Sequence, residues 1–273
     1  MQFLFVIWNI NPEIFRVAGF GLRYYSVLFA IAFLLGFVLM KRMYQREDLN
    51  EQLLNPLLIY IMAGTIIGAR LGQVFFYEFG YYKHHLSEIV FPFLIENKGI
   101  EWTGYQGLAS HGGAIGILIA LASYCKKYRQ DFLQTMDRLV ITVALAGFFI
   151  RVGNFFNAEI IGKPATVSWA VVFKRVDFIP RHPSQLYEAF CYLISFIILW
   201  VWYQRKGEPR KKGFLFGLFL VLIFSARILI EFTKEAQEAF EKSLSLNMGQ
   251  ILSLPFILIG IYFIFRKPKL HTD

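Results

Sequence analysis

The sequence predicts an all-α, polytopic membrane protein with seven transmembrane helices, its N-terminus outside and its C-terminus in the cytoplasm. Residues 1–273 are expected to form a single membrane-embedded domain. Three observations carry this expectation. The 273 residues are 56% apolar and 18% aromatic, with a mean hydropathy of +0.49, too apolar for an ordinary soluble domain. Seven segments approach the ~20 apolar residues that cross ~30 Å of hydrocarbon. The basic residues gather after alternate segments, as the positive-inside rule requires.

Met1–Phe15 is apolar but lacks a basic n-region and a small-residue cleavage site, so it does not read as a removable signal peptide. The first span is expected at Tyr24–Met40, followed by Lys41, Arg42 and Arg46. The second, Leu54–Phe76, carries Gly64-x-x-x-Gly68. The third, Tyr105–Tyr124, carries Gly112-x-x-x-Gly116 and is followed by Lys126, Lys127, Arg129 and Arg138. Small residues four apart let helix backbones approach closely. The fourth span, Leu139–Arg151, is short in charge-free length, and its outer end runs into a polar motif. The fifth, Gln185–Tyr203, is followed by Arg205, Lys206, Arg210, Lys211 and Lys212. Phe214–Phe232 is the sixth, and Gly249–Phe265 the seventh, with Arg266, Lys267 and Lys269 after it. These inner clusters hold fifteen of the 28 basic residues. The net charge of +9 therefore reflects membrane topology, and a nucleic-acid partner is not expected. Cys125 and Cys191 stand alone and read as packing residues. The longer connections, about Tyr77–Gly104, Phe155–Ser184 and Thr233–Met248, all fall outside. Long loops are often functional, so substrate handling is expected on that face. There is no convincing internal repeat, which weakens a secondary-transporter reading.

With direction fixed, the polar residues within the spans share one depth. Arg70 lies about six residues from the outer end of span two, and His111 about six residues below the outer start of span three. Arg151 caps the outer end of span four. Glu188 opens span five, Arg227 and Glu231 close span six, and Tyr25 opens span one. At 1.5 Å per residue all fall within about 10 Å of the outer boundary. A polar cavity open to the outer leaflet produces this pattern, because an ionisable group inside a membrane is costly and its default reading is functional. Structural alternatives exist for single members. Arg227 and Glu231, four apart, can neutralise each other. Arg70 can snorkel, His111 can pack beside Gly112-Gly113, Glu188 can tie a loop to the bundle, and Tyr25 can be an interfacial aromatic. The stretch Arg151-Val152-Gly153-Asn154-Phe155-Phe156-Asn157-Ala158-Glu159-Ile160-Ile161-Gly162 is the hardest to read as structural. It sets a guanidinium, amides and a carboxylate together at the end of an apolar run.

That stretch resembles the signature of the bacterial prolipoprotein diacylglyceryl transferases. The resemblance extends, in the family's order and over nearly the whole chain, to Tyr25, Gly68-Ala69-Arg70-Leu71-Gly72, Ser110-His111-Gly112-Gly113, His182-Pro183-Ser184-Gln185-Leu186-Tyr187-Glu188, Arg227-x-x-x-Glu231 and Met248-Gly249-Gln250-Ile251-Leu252-Ser253. Two departures fall on span six. Ile223 stands where family members often carry Tyr, and Phe232-Thr233-Lys234-Glu235 stands where an Arg-x-Pro-Asp stretch often follows the glutamate.

The resemblance implies a reaction. The diacylglyceryl group of phosphatidylglycerol moves to the lipobox cysteine thiol of a prolipoprotein, releasing glycerol phosphate. This is the first step of lipoprotein maturation, and no cofactor or metal is required. It also implies a multi-pass protein of the bacterial cytoplasmic (inner) membrane, with its active site towards the outer leaflet. A thiol of pKa ~8.5 must become a thiolate to attack carbon. His111 or Glu159 can take the proton, and the sequence does not divide the role between them. Arg151 and Arg227 would stabilise the phosphate leaving group. Asn154, Tyr25, Arg70, Gly162, Glu231 and Glu188 complete the expected phosphatidylglycerol site, with Glu231 orienting Arg227. The rival from another class is a transporter or channel for an anionic solute, which would use the same arginines but needs polar groups on the inner helix halves. A retinal protein is excluded because Gly249–Phe265 has no lysine. Ser110 and His111, being adjacent, face different sides of a helix and make no ready protease dyad.

Overall fold

A computed structural model describes residues 5–17, 20–90, 93–96, 99–102, 109–205, 211–234 and 248–267. The chain divides into two compact units, one of Met1–Met43 with Met136–Asp273, the other of Tyr44–Thr135. Among the described residues, five helical segments are long and apolar enough to cross a membrane by length and composition: Tyr24–Arg46, Glu51–Phe76, Phe132–Asn157, Ser184–Gln204 and Phe214–Glu231.

The second unit is built on two helices. Helix α2 spans Leu54–Phe76, the short α3 and α4 follow at Phe79–Tyr82 and Leu86–Val90, and α5 spans Ser110–Tyr128. Strands Phe93–Glu96 and Gly99–Trp102 form an antiparallel hairpin. The paired glycines do what their spacing predicts. A methyl at Gly116 would collide with the Gly64 carbonyl oxygen, and one at Gly72 would stand 2.6 Å from Gly112 Cα, so α2 and α5 touch backbone to backbone. The next residue differs. A methyl at Gly113 would meet Ala69 Cβ at 3.6 Å, an ordinary contact. At the other end of this pair, Tyr124 Oη donates to the Leu53 carbonyl at 3.0 Å.

Two expectations about this unit change. The sequence starts the third span at Tyr105, but α5 begins at Ser110. The Ala109 backbone, extended, donates instead to the Ala69 carbonyl at 3.0 Å, which holds it out of the helix. His111 is thus in the first turn of α5. Residues 103–108 lie outside the described residues. Helix α5 ends where Arg129 takes a left-handed conformation, φ 52°.

In the first unit, α1 (Tyr24–Arg46) and α6 (Phe132–Asn157) each run through the unit boundary, and α7 (Ser184–Gln204), α8 (Phe214–Glu231) and α9 (Met248–Phe265) lie wholly within the unit. The fourth span corrects the sequence most. It is a 26-residue helix, so Arg151 lies inside it, six residues before its end, and does not cap it. Helical hydrogen bonding is indifferent to side-chain charge when the polar groups find partners sideways. Gly213, φ 86°, precedes helix α8 as its N-cap, and its N–H donates to Asp137 Oδ2 at 2.7 Å, while Phe216 N donates to Oδ1 at 2.8 Å. A carboxylate from α6 thereby caps the positive end of α8.

The described residues are mostly helical, but the unit also holds strands that an all-α reading omits. Val6–Trp8 pairs in parallel with Val171–Phe173, which pairs antiparallel with Pro180–Arg181; Glu13–Val17 and Phe20–Arg23 form a hairpin. A three-residue strand is too short to show alternation, and its partner lies far away in sequence. The sheet rests on the polar motif itself. Trp8 packs on Phe155 and Phe156, with centroids at 4.3 and 5.4 Å, and Phe155 packs on Phe173 at 5.6 Å.

In the turn after Val171–Phe173, Asp177 accepts from Arg181 Nη2 at 2.6 Å and Nε at 2.9 Å. The Arg181 fork holds the Asp177 carboxyl below the usual carboxylate range. Its contribution is complete above the unfolded carboxyl pKa of ~4 and is lost as pH falls through the lower folded value. The pair is partly exposed, so it contributes no more than about 1 kcal/mol. Asp177→Asn is expected to speed limited proteolysis of this loop at pH 7, and the difference from the parent protein is expected to shrink as pH falls below the unfolded carboxyl value. An unchanged pH 7 digest would refute that expectation.

Candidate active site

Five predicted site residues of the first unit, Arg151, Asn154, Glu159, Glu188 and Glu231, are linked with Lys234 by hydrogen bonds and ion pairs. Helix α6 ends at Asn157 because Ala158 turns left-handed at φ 55°, and Ile160 does the same at φ 54°. Such conformations are strained for residues with a Cβ, more so for branched Ile, and cost about 1–3 kcal/mol each. They are held by Ala158 N to Phe155 O (3.1 Å) and Glu159 N to Asn154 O (3.0 Å). The result is a fixed turn that carries Glu159 back over its own helix. Its carboxylate accepts from Asn154 Nδ2 at 3.0 Å and Asn157 Nδ2 at 3.1 Å, and its backbone carbonyl accepts from Gln185 Nε2. Glu159 itself stays exposed.

Asn154 also joins the arginine, since Arg151 Nη1 donates to Asn154 Oδ1 at 3.3 Å. Arg151 Nε lies 2.9 Å from Glu188 Oε2, and its guanidinium carbon stands 6.0 Å from the Tyr192 ring centroid. The Nε–Oε2 contact is an ion pair whose N–H is not aligned for a hydrogen bond, which leaves Glu188 Oε2 buried without one. Glu188 is almost fully buried, at 1% exposure. A lone charge there would be prohibitive, so it requires cations. It has two, because Lys234 Nζ donates to its Oε1 at 2.8 Å.

Lys234 was legible in the sequence only as a departure. It is buried, and its Nζ also reaches Glu231 Oε2 at 3.3 Å. The expected Arg227–Glu231 partnership is not formed among the described residues. Glu231 turns to the cation three residues on, and α8 ends there, freeing Lys234 to fold back. The i,i+3 spacing of Glu231 and Lys234 was the available signal. Arg227 Nε is buried and has no hydrogen-bond partner among the described residues. A buried unsatisfied donor calls for an explanation, and a bound ligand is one.

Three further residues act by shape. Tyr25 packs on α6 at Gly153, where a methyl would stand 2.7 Å from the ring. Gly162 lies where the loop crosses the Ser184 turn; a methyl there would meet His182 O and Ser184 Oγ at 2.5 Å. Gly162 also bridges to Lys234 through the backbone, so it fixes the strand that delivers the lysine. In the Met248–Ser253 motif, Gly249 makes room for the Glu231 carboxylate, and Gln250 Nε2 donates to Ile228 O at 3.2 Å, tying α9 to α8.

Arg70 and His111 belong to the second unit. Arg70 is buried and donates to Glu88 O at 2.6 Å and Ile89 O at 3.2 Å, with its guanidinium over the Tyr82 ring at 4.9 Å. It therefore braces α3 and α4 against α2. His111 is exposed.

Comparison with known proteins agrees with the motifs. The family model for prolipoprotein diacylglyceryl transferase matches residues 12–266. The chain is 44% identical over 267 residues to the phosphatidylglycerol–prolipoprotein diacylglyceryl transferase of Bacteroides fragilis, covering 97% of this chain and 96% of the relative. It is 43% identical to the protein of that name from Tolumonas auensis, covering 97% and 98%. The protein of that name from Chloroherpeton thalassium is 41% identical, covering 97% and 95%.

Proposed function

Because this chain belongs to the prolipoprotein diacylglyceryl transferase family, we propose that it transfers the diacylglyceryl group of phosphatidylglycerol to the lipobox cysteine of prolipoproteins. The observation that carries this reading to the site is the buried Arg227 Nε without a partner among the described residues, in the same unit as the tethered Arg151. Two guanidiniums of which one is held and one unspent suit a phosphodiester that becomes a phosphate monoester dianion.

In the proposed reaction the cysteine sulfur attacks the glyceryl carbon bonded to the phosphate oxygen. The S–C bond forms as the C–O bond breaks, and the electron pair leaves with glycerol phosphate. Arg151 and Arg227 take up the charge that develops on the phosphate, and Asn154 and Tyr25 add hydrogen bonds to glycerol or phosphate oxygens. Glu188 orients Arg151. Gly162 and Arg70 shape the surroundings. The thiol proton goes to Glu159 or His111. A pH–rate profile separates them: substitution of the base by Gln removes the acidic limb of kcat/KM, and substitution of the other residue leaves that limb in place.

The same reading makes the chain one catalytic domain of seven crossings in the bacterial inner membrane, with its N-terminus outside, its C-terminus in the cytoplasm and its chemistry at the outer leaflet. The basic clusters after alternate spans support it. The deciding assay uses purified protein, phosphatidylglycerol labelled in its diacylglyceryl moiety, and a lipobox peptide with one cysteine. Label on the peptide, lost when cysteine becomes serine, is the expected result. Absence of transfer from folded protein would refute the proposal.

A further inference from the structure

We propose that Lys234 is a positioning residue for phospholipid binding: it holds the Glu231 carboxylate away from Arg227 and so keeps the Arg227 guanidinium available to the phosphate. The inference rests on the transferase reading above.

The first unit brings together two buried carboxylates, Glu188 and Glu231, and three cations, Arg151, Arg227 and Lys234. The geometry divides them in a particular way. Arg151 Nε takes Glu188 Oε2 (2.9 Å), Lys234 Nζ takes Glu188 Oε1 (2.8 Å), and the same Nζ takes Glu231 Oε2 (3.3 Å). The alternation cation–carboxylate–cation–carboxylate uses both acids, and among the described residues Arg227 is the cation left over, its Nε buried without a partner. Yet Arg227 and Glu231 are four residues apart on α8, the spacing at which a helix joins opposite charges. Something must hold Glu231 elsewhere, and Lys234 is the group that does so.

Its placement is built. The Lys234 side chain is 6% exposed, and the backbone leading to it is held at residues 232, 233 and 234. Gly162 and Lys234 form an isolated β-bridge, Lys163 N donates to Thr233 O at 2.8 Å, and Lys163 Nζ donates to Phe232 O at 3.2 Å. From the opposite side, Gly249 lets α9 approach without displacing the Glu231 carboxylate. A neutral residue at 234 would leave Glu231 buried and unpaired, which is unfavourable, and Arg227 is the cation its helix offers. Recaptured, Arg227 would have to exchange Glu231 for phosphate on every binding event.

The test is steady-state kinetics in nanodiscs, with phosphatidylglycerol and the lipobox peptide varied separately, on the parent, Lys234→Met, Lys234→Arg and the double variant Glu231→Gln/Lys234→Met. Lys234→Met is expected to raise KM for phosphatidylglycerol about 10–100-fold, the worth of a charged hydrogen bond, with KM for the peptide unchanged. Lys234→Arg, which keeps the charge, is expected to remain within about threefold of the parent. The double variant removes the competing carboxylate and is expected to bind phosphatidylglycerol better than Lys234→Met. A Lys234→Met protein with the parent's constants overturns the proposal. So does a loss that appears only as a smaller folded fraction with unchanged constants, or as lower kcat with both KM values intact. Should Lys234→Met not fold, Lys234→Gln takes its place under the same expectation, and the parent's KM for phosphatidylglycerol in that variant overturns the proposal. If the parent itself transfers no label, the transferase reading fails and not this inference.

Discussion

Arg151→Ala is expected to lower kcat by about 10²–10³-fold, the usual consequence of removing one preorganised charge from a transition state. The fold should survive, because Glu188 keeps its second cation, with Lys234 Nζ 2.8 Å from Oε1. Arg151 also orders its neighbours: Asn154 Oδ1 accepts from it, and Asn154 Nδ2 in turn holds Glu159. Arg151→Lys should therefore recover little, since an ammonium cannot face Glu188 and Asn154 at once with the geometry of a guanidinium. Labelled transfer to the lipobox peptide, read beside thermal unfolding, checks both points. Near-normal turnover in Arg151→Ala would remove Arg151 from the chemistry. An unfolded Arg151→Ala protein would instead make its pairing with Glu188 structural.

Gly116→Val is expected to cause the largest loss of stability, and Gly113→Ala almost none. The two glycines are three residues apart on α5 and look alike in sequence. A side chain at 116 would enter the Gly64 carbonyl, where backbone cannot yield, and would force α2 and α5 apart. Overpacking typically costs about 1–3 kcal/mol, and collision with backbone belongs at or beyond the upper end. At Gly113 the methyl finds Ala69 Cβ at 3.6 Å, an ordinary contact, and alanine improves helix propensity by up to about 1 kcal/mol. Thermal unfolding of the two variants in the same detergent compares them. Equal losses would mean that α2 and α5 do not pack as described.

How far the sequence reaches can be judged from particular residues. Arg151, Asn154 and Glu159 are named by their stretch alone, because polar groups ending an apolar run are costly and need a reason. The Gly64 and Gly112 motifs announce a close helix pair, because spacing of four is a property of one helix and is visible locally. The positions of the long helices follow from hydropathy to within a few residues at most ends. The partners do not. That Glu231 takes Lys234, leaving Arg227 Nε unpartnered among the described residues, depends on where α8 stops and how residues 232–234 bridge to Gly162, a contact 72 positions apart in the chain. Likewise Arg70 has the depth of a site residue, and only the fold of α3 and α4 over its guanidinium gives it a bracing role.

By itself, then, the sequence determined the membrane character of the chain, the segments that become helices and the family-defining polar stretch. Each of these depends on the cost of placing a given residue type in hydrocarbon or on a period within one segment. The tertiary structure alone decided which carboxylate meets which cation, that Arg151 lies inside α6, and that a small sheet rests on Phe155 and Phe156. Those outcomes depend on distances between residues remote in the chain, and a charge's partner in a low-dielectric interior is whichever opposite charge the backbone brings within about 3 Å.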